Sequence, residues 1–364
     1  MSEGIILITA PALDTKNNVS GVSSVANFII SNNTQYQYRH FELGRKDDEK
    51  RNIAWVLRLL KTYCKWAGIA VAGKIKLVHF NFALSKPSVI RDAPLVLFAK
   101  LVRRKVIIHL HGGEYLFSKQ PHGWMKWLLK KVFSGNTPVI VLSEAEAPVV
   151  KEKYGAKNIV VLPNCVDLKE AEAFTKNYNS AEILKLLFIG RISKTKGLDF
   201  IYEALDKLRK KNIPFVFTMA GAGPEEKEYV QQFANLLGGQ FEFKGVVSGN
   251  TKTALFKNSD VFLLPSHFEG LPMSLLESMS FGLVPVVTAV GSIPTVVKHE
   301  NTGMITALDT NTAAIVADYV EKLVHDPQLV QAISKNAKEC IFKNYNPAVY
   351  ISTLNKIYKE EQDK

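Results

Sequence analysis

The sequence predicts an α/β protein built from two doubly wound parallel-sheet domains in succession. Three observations carry that prediction. Short, continuously apolar segments alternate with helix-patterned ones along most of the 364 residues, and strands of that kind belong in parallel sheets covered on both faces. The alternation stops near 165–182, where "CVDLKEAEAFTKNYNSAEI" is polar and aperiodic, and then resumes. The chain is also long for one domain, and 47% hydrophobic against 22% charged residues supplies sizeable cores.

The elements follow in order. "GIILITAP" (4–11) reads as a buried strand, then a turn, then the helix "VSSVANFIISN". Further strands are "IKLVHFNF" (75–82), "KVIIHLHG" (105–112), "TPVIVLS" (137–143) and "NIVVLPN" (158–164), with "APLVLFAKLVRR" among the helices between them. After the break come the strand "LKLLFIGR" (184–191), the helix "LDFIYEALDKLRKK", the strand "FVFTMAG" (215–221) and the helix "EEKEYVQQFANLLG". "FEFKGVV", "TKTALFKNS", "VFLLPS" (261–266), a helix opening near Pro272, "VPVVTAV" and a helix over about 311–325 complete the series. Ligands of such sheets bind at the carboxyl ends of the strands.

Composition excludes several classes. No apolar run is long enough to span a membrane, and "MSEGIILITAP" is too short and too acidic for a secretory signal. Cys64, Cys165 and Cys340 are isolated, which suits a reducing cytosol and forms no metal motif. The formal charge of +12 is segregated: residues 1–180 hold 26 Lys and Arg against 14 Asp and Glu, whereas 181–364 hold 20 of each. The excess points the first half toward an anionic partner, whether phospholipid, a lipid-linked substrate or nucleic acid. A nicotinamide enzyme is disfavoured. The only G-x-G fragment, "AGAGPEEKE" (220–228), lacks the third glycine and has Pro224, Glu225 and Glu226 where a pyrophosphate needs bare N–H groups.

The chemistry concentrates in the second half. In "HFEGLPMSLLESM" (267–279), Glu269 and Glu277 are eight residues apart. On one continuous helix that offset turns about 80°. Gly270 and Pro272 instead start the helix near Pro272, its favoured first position. Glu269 then lies on the preceding loop and Glu277 early in the helix, both near an N-terminus that attracts anions. Arg191 ends a strand, and Lys196 precedes Gly197 at the next helix start; two cations so placed suit a diphosphate. A carboxylate accepts two hydroxyl donors at once and suits a sugar diol. Phosphate on cations and diols on carboxylates are what a nucleotide-sugar requires.

The series "FIGRISKTKGLDFIYEAL", "MAGAGPEE", "FKGVV" and "DVFLLPSHFEGLPMSLLESMSFGLVPVVTAVGSIPTVV" resembles the retaining glycosyltransferases of family 4, which have the GT-B fold of two Rossmann-like domains facing a central cleft. Glu269 to Glu277 matches that family's E-x7-E motif, and "VLPNCVD" (161–167) its P-N-G-V-D, with Cys165 in place of Gly. The resemblance implies that Arg191 and Lys196 bind the diphosphate and stabilise the leaving group. Glu277 would hold the ribose hydroxyls, Glu269 the donor sugar's hydroxyls, and the backbone of Gly270, Leu271 and Pro272 would lie beside sugar and phosphate. Gly21, in "NNVSGVSSV", matches a loop that meets the diphosphate, with Ser20 where relatives have a further Gly. His111, in "HLHGG", matches a histidine set near the reacting sugar; His79 and His109 read as structural.

The implied domains are 1–168 for the acceptor and 169–345 for the donor, with a C-terminal helix at about 346–364 joining the first. The implied function is transfer from a UDP- or GDP-linked sugar to a glycan or lipid-linked acceptor in bacterial surface polysaccharide synthesis. No D-x-D motif is present, so neither metal nor cofactor is expected. The alternatives are another GT-B enzyme, a phosphorylase or inverting transferase, and a nucleic-acid-binding protein using the basic half; no recognised nucleic-acid motif supports the last.

The basic half also carries "RNIAWVLRLLKTYCKWA" (51–67). Ile53, Val56, Leu57, Leu60, Tyr63, Cys64 and Ala67 form an apolar stripe at helical spacing, widened by Trp55, Leu59 and Trp66, and Arg51, Arg58, Lys61 and Lys65 share another face. "WMKWLLKKVF" (124–133) again sets two Trp among three Lys. Trp beside Lys or Arg suits a bilayer interface. The expectation is a cytoplasmic enzyme peripheral to the inner face of the plasma membrane, against an anionic surface. A core-facing helix with a solvated basic rim is the other reading.

Overall fold

A computed structural model of the chain describes residues 4–14, 20–44, 53–72, 74–176 and 183–364. It divides into two compact units, Met1–Asn164 with Ala348–Lys364, and Cys165–Pro347.

The first unit runs β1 (Ile5–Ala10), α1 (Gly21–Asn32), β2 (Tyr38–Glu42), α2 (Ile53–Val71), β3 (Ile75–Phe82), α3 (Lys86–Leu101), β4 (Lys105–Leu110), α4 (Gly123–Phe133), β5 (Pro138–Val141), α5 (Glu146–Tyr154) and β6 (Asn158–Val161). Its strands form one parallel sheet in the order β2-β1-β3-β4-β5-β6. The strand order reverses at β1 and β3, which is where a doubly wound sheet opens a ligand crevice. Strand β2 is absent from the sequence reading because "YRHFE" buries one residue only, Phe41.

The helices pack by a few large anchors. On α2, Trp66 is 1% exposed. Its indole N–H donates to the Leu95 carbonyl at 3.0 Å, and its ring sits edge-on to Phe41 and Phe80. Helix α3 begins two turns before the sequence-expected "APLVLFAKLVRR" and keeps Pro94 in its interior. That proline forfeits one helical hydrogen bond, but Val89, Ala93, Leu95 and Val96 are all buried, and their packing outweighs the loss.

The second unit runs α6 (Lys169–Glu172), β7 (Leu184–Ile189), α7 (Leu198–Lys210), β8 (Phe215–Ala220), α8 (Glu226–Leu237), β9 (Phe241–Phe243), α9 (Gly249–Asn258), β10 (Val261–Leu264), α10 (Met273–Ser280), β11 (Val284–Thr288), α11 (Ile293–Val296), β12 (Met304–Thr306), α12 (Thr312–His325) and α13 (Pro327–Asn344). Its parallel sheet has the order β12-β11-β10-β7-β8-β9, reversing at β7 and β10. The polar segment expected to link the domains contains the short helix α6, and residues 177–182 of it lie outside the described set.

The last helix, α14 (Pro347–Gln362), packs on the first unit. Tyr358 is fully buried, its hydroxyl 2.6 Å from His79 Nδ1 and its ring edge-on to Tyr36. Asn355 accepts from Asn33 at 2.6 Å, and Lys105 donates to the Gln362 carbonyl. Among the described residues no helix is long and apolar enough to cross a membrane.

Candidate active site

The residues singled out in the second half gather at the β7/β10 reversal. Arg191 follows β7, and Lys196 ends a single 3₁₀ turn over Lys194–Lys196. Gly197 then takes φ +76, and a Cβ there would lie 1.9 Å from the Pro265 carbonyl oxygen. Glycine is therefore required on two counts, and the close approach brings Lys196 against the loop that leaves β10. Lys196 Nζ reaches Glu269 Oε1 at 2.7 Å, and Ser266 Oγ donates to the same oxygen at 2.7 Å. The Glu269 side chain is 7% exposed. A buried carboxylate with a cation and a hydroxyl on one oxygen is held in one orientation.

The loop carrying Glu269 is braced from behind. Thr288 donates to the Ser266 carbonyl at 2.5 Å, and the Ser292 N–H donates to the Gly270 carbonyl at 2.9 Å. Gly291, at φ +57, fits under the Glu269 carbonyl, where a Cβ would meet the oxygen at 2.0 Å. Leu271 is buried. Pro272 is the N-cap of α10 rather than its first helical residue, with φ −66 and ψ 127. It offers no side-chain acceptor, so the first-turn N–H groups have no capping side chain from it. Glu277 lies in the second turn, and Lys252 of α9 meets its Oε2 at 2.5 Å.

The "AGAG" segment is explained by packing. A Cβ on Gly221 would lie 1.8 Å from the Gly190 carbonyl oxygen, and one on Gly223 2.1 Å from that of Ile192. The glycines let the β8 loop lie against the β7 loop, with Ile192 N–H donating to the Ala222 carbonyl at 2.9 Å. They set the position of Arg191's backbone.

In the first unit, His111 follows β4. Asn81 on β3 donates through Nδ2 to the Thr9 carbonyl on β1 at 2.6 Å, which turns its Oδ1 toward His111 Nε2, also at 2.6 Å. His111 therefore carries its proton on Nε2 and leaves Nδ1 as an acceptor. Burial pushes it down to about 3, with the neighbouring His79 adding to the effect. The His109 ring lies 4.3 Å away, tilted by 38°, and His79 bonds to His109 at 3.1 Å. Both are fully buried and neutral, His79 lowered to about 3 and His109 well below its ordinary range, by burial first. Gly113, at φ +125, could carry no side chain without striking the Leu84 backbone at 2.5 Å. Gly21 differs. It is the first residue of α1, exposed, with nothing within 4 Å of a Cβ built on it; local packing does not call for glycine there, and the space beside it stays open.

A family model described as "Glycosyl transferases group 1" matches residues 170–340, and one described as "Glycosyltransferase Family 4" matches residues 32–170. The chain belongs to the family 4 glycosyltransferases. This glycosyltransferase is 32% identical over 164 residues to an uncharacterized glycosyltransferase of Methanocaldococcus jannaschii, covering 44% of the chain and 41% of that relative. It is 25% identical to the UDP-Gal:alpha-D-GlcNAc-diphosphoundecaprenol alpha-1,3-galactosyltransferase of Escherichia coli, over 71% and 70% of the two chains. The fold matches that of Anabaena HepE in complex with UDP-glucose, with a TM-score of 0.75, 16% identity and coverage of 98% and 100%. The doubly wound architecture read from the sequence is thereby the GT-B fold.

Four polar partners of the candidate residues in the two units escaped the sequence reading. Ser266 and Lys252 complete the two carboxylates, and Asn81 and Thr9 orient His111. Lys252 is 25 residues from Glu277 and sits in an ordinary polar helix, so spacing gave no signal. Thr9 and Asn81 lie inside apolar strands where a buried polar residue needs a partner, and that signal was available. Among the described residues no three His, Cys, Asp or Glu side chains gather as a metal site.

Proposed function

We propose that this chain transfers a hexosyl group, with retention of anomeric configuration, from a UDP- or GDP-linked sugar to a glycan or lipid-linked acceptor of bacterial surface polysaccharide synthesis. The observation that carries the reading is the Lys196–Glu269 pair at the strand reversal of the second sheet, beside Arg191 and the uncapped start of α10. A diphosphate laid along Arg191, Lys196 and the α10 N-terminus would find two cations and free N–H dipoles. Glu269, held by Ser266, would keep its other oxygen for a donor-sugar hydroxyl, and Glu277 would take the ribose diol. The donor and acceptor named for the Escherichia coli relative, and the UDP-glucose in the Anabaena complex, support a nucleotide-sugar donor and a lipid-linked acceptor.

No carboxylate is needed as a nucleophile in this scheme. The leaving diphosphate, stabilised by the cations as the anomeric bond breaks, accepts the acceptor's proton on the same face that the acceptor attacks. The family resemblance gives His111 the role of a residue near the reacting sugar and Gly21 that of a residue near the diphosphate. With its pKa depressed to about 3, His111 is neutral at physiological pH and serves as a hydrogen-bonding group to the sugar, not as a general acid. The enzyme would work without metal, at the cytoplasmic face of the membrane, where anionic phospholipid meets the basic first half.

A thermal-shift panel of UDP-, GDP-, ADP- and CMP-sugars tests the donor, since a ligand at 100 times its Kd stabilises by about 2.7 kcal/mol. Proton NMR of the product then tests retention: an inverted anomer, or release of a sugar 1-phosphate, would remove the retaining transferase in favour of an inverting enzyme or a phosphorylase.

A further inference from the structure

Two helices of the second unit meet twice. Helix α9 precedes β10 and helix α10 follows it, so both begin at the carboxyl edge of the sheet, where ligands of such sheets bind. Phe256 on α9 and Phe281 at the end of α10 are buried, with their rings stacked and the centroids 5.6 Å apart. One turn nearer the N-terminus of each helix, Lys252 Nζ meets Glu277 Oε2 at 2.5 Å. The aromatic contact sets the spacing of the two helices. The ion pair lies a turn closer to the ligand edge, with the side chains 25% and 26% exposed.

The pair is not needed to hold the helices together. Ion pairs this open to solvent add little stability, and Phe256 already meets Phe281. It also has hydrogen-bonding capacity left over. Lys252 has three N–H donors and uses one of them on Glu277, while Glu277 Oε1 has no protein partner among the described residues. Lys252 Nζ stands 5.8 Å from the Phe256 ring centroid, a cation–π distance that steadies the long side chain. The surface therefore offers open carboxylate acceptors beside two open ammonium donors.

We propose that Lys252 is a specificity residue that reads the ribose cis-diol together with Glu277, so that the donor is a ribonucleotide sugar and sugars linked to deoxyribonucleotides are poor donors. The inference rests on the proposed function, which gives the ribose diol to Glu277. Each ribose hydroxyl donates one hydrogen and accepts through its oxygen. The carboxylate takes the two hydrogens, and the two open N–H groups of Lys252 serve the two oxygens, so the pair matches the diol in both roles. A carboxylate alone would leave the oxygens to water. Removing one hydroxyl takes a partner from Glu277 and another from Lys252. Sites that bury such groups reject an analogue lacking the hydroxyl by about 10⁴–10⁵-fold. Here both groups reach solvent and satisfy each other when a hydroxyl is missing, so the expected preference is about tenfold.

The test is calorimetry with UDP, GDP, ADP and CDP, and then with the 2′-deoxy and 3′-deoxy forms of whichever binds most tightly, on the full chain and on Lys252→Met. Methionine keeps an unbranched apolar side chain and removes the donors, and an unchanged melting temperature checks the variant's fold. The expected result is that the unaltered protein prefers the ribonucleotide by about tenfold over each deoxy form. Lys252→Met should lose about tenfold for the ribonucleotide and less than about threefold for the deoxy forms, so that the preference shrinks. The inference is overturned if the unaltered protein binds the deoxy forms as tightly as the ribonucleotide. It is also overturned if Lys252→Met loses the same factor for all three, which would make Lys252 a support of α9 and nothing more. Either of those results, with a ribonucleotide bound, leaves the donor reading standing and discards this inference alone. Binding of none of the four diphosphates would discard the donor reading and this inference with it.

Discussion

The polar clusters of the two units, each taken by itself, are built on opposite principles. In the second unit each of the two carboxylates near the β7/β10 reversal has an ammonium partner, Lys196 on Glu269 and Lys252 on Glu277. In the first unit the corresponding groups are neutral and deep: His79, His109 and His111 with Asn81 and Thr9, with burial holding the imidazoles uncharged. Under the proposed function the contrast would separate two tasks. Charge that develops on a leaving diphosphate is best met by fixed cations, whereas a sugar is oriented by neutral donors and acceptors whose geometry matters more than their charge.

The largest effect that would break this contrast lies in the cations. Arg191→Ala and Lys196→Ala should each lower kcat by about 10²–10³-fold, the range found for removal of one group that stabilises transition-state charge; near-normal turnover would remove the phosphate role. The two differ in stability. Lys196→Ala leaves the nearly buried Glu269 with Ser266 alone, so it should also lower stability by about 1–3 kcal/mol. Lys196→Ala/Glu269→Ala should regain much of that in urea titration while remaining inactive.

Acid titration sets the first unit against the second. The folded-state values of His79 and His111, about 3, lie below the ordinary imidazole value of 6.5. Between those limits the unfolded chain holds more protons, so their contribution is intact above 6.5 and is lost as pH falls toward 3. Each histidine adds a slope of at most about 1.4 kcal/mol per pH unit. Urea midpoints at pH 7 and pH 5 should show the loss, and His79→Gln should flatten it; a pH-independent midpoint would contradict the neutral buried assignment.

A finer division concerns the carboxylates. Glu277→Gln should weaken nucleoside diphosphate and nucleotide-sugar alike by about tenfold, about 1.4 kcal/mol, and Lys252→Ala should do the same through the lost partner. Glu269→Gln should weaken the nucleotide-sugar and spare the nucleoside diphosphate. Calorimetry with both ligands decides it, and equal weakening of both by every variant would refute the division. The smallest effect is expected from Asn81→Ala. Without its acceptor the His111 ring is free to change tautomer, and kcat should fall a few-fold at unchanged KM for the donor.

The legible part of the site is the part whose residues are close in sequence. Glu269, Gly270, Leu271, Pro272 and Glu277 lie on one loop and one helix, and Arg191 and Lys196 on one turn, so motif and spacing reach them. Gly21 and His111 came only through resemblance, and the open space at Gly21 is a property no spacing reports. Lys252, Asn81 and Thr9 were missed because their partners come from other strands and helices; Ser266, three residues from Glu269 on the same loop, was within reach of the sequence. Of the basic face read on α2, Arg51 lies outside the described residues, and Arg58, Lys61 and Lys65 line a cavity whose other wall is α3.

By itself the sequence determined the alternation of strands and helices, the break between two domains, and the charged loop after β10, because these rest on local pattern and on chain neighbours. The tertiary structure decided what depends on remote partners. Helix α2 is apolar around much of its circumference, and only the Phe41, Phe80 and Leu95 surfaces select Trp66 for the inside and leave Leu57 and Leu60 outside. Helix α3 runs through Pro94 because burial of its neighbours outweighs one absent hydrogen bond. Tyr358 meets His79 across 279 residues, and neither residue carries a mark of the other. Local propensity is written residue by residue, but the choice among several apolar faces belongs to the surface each one meets.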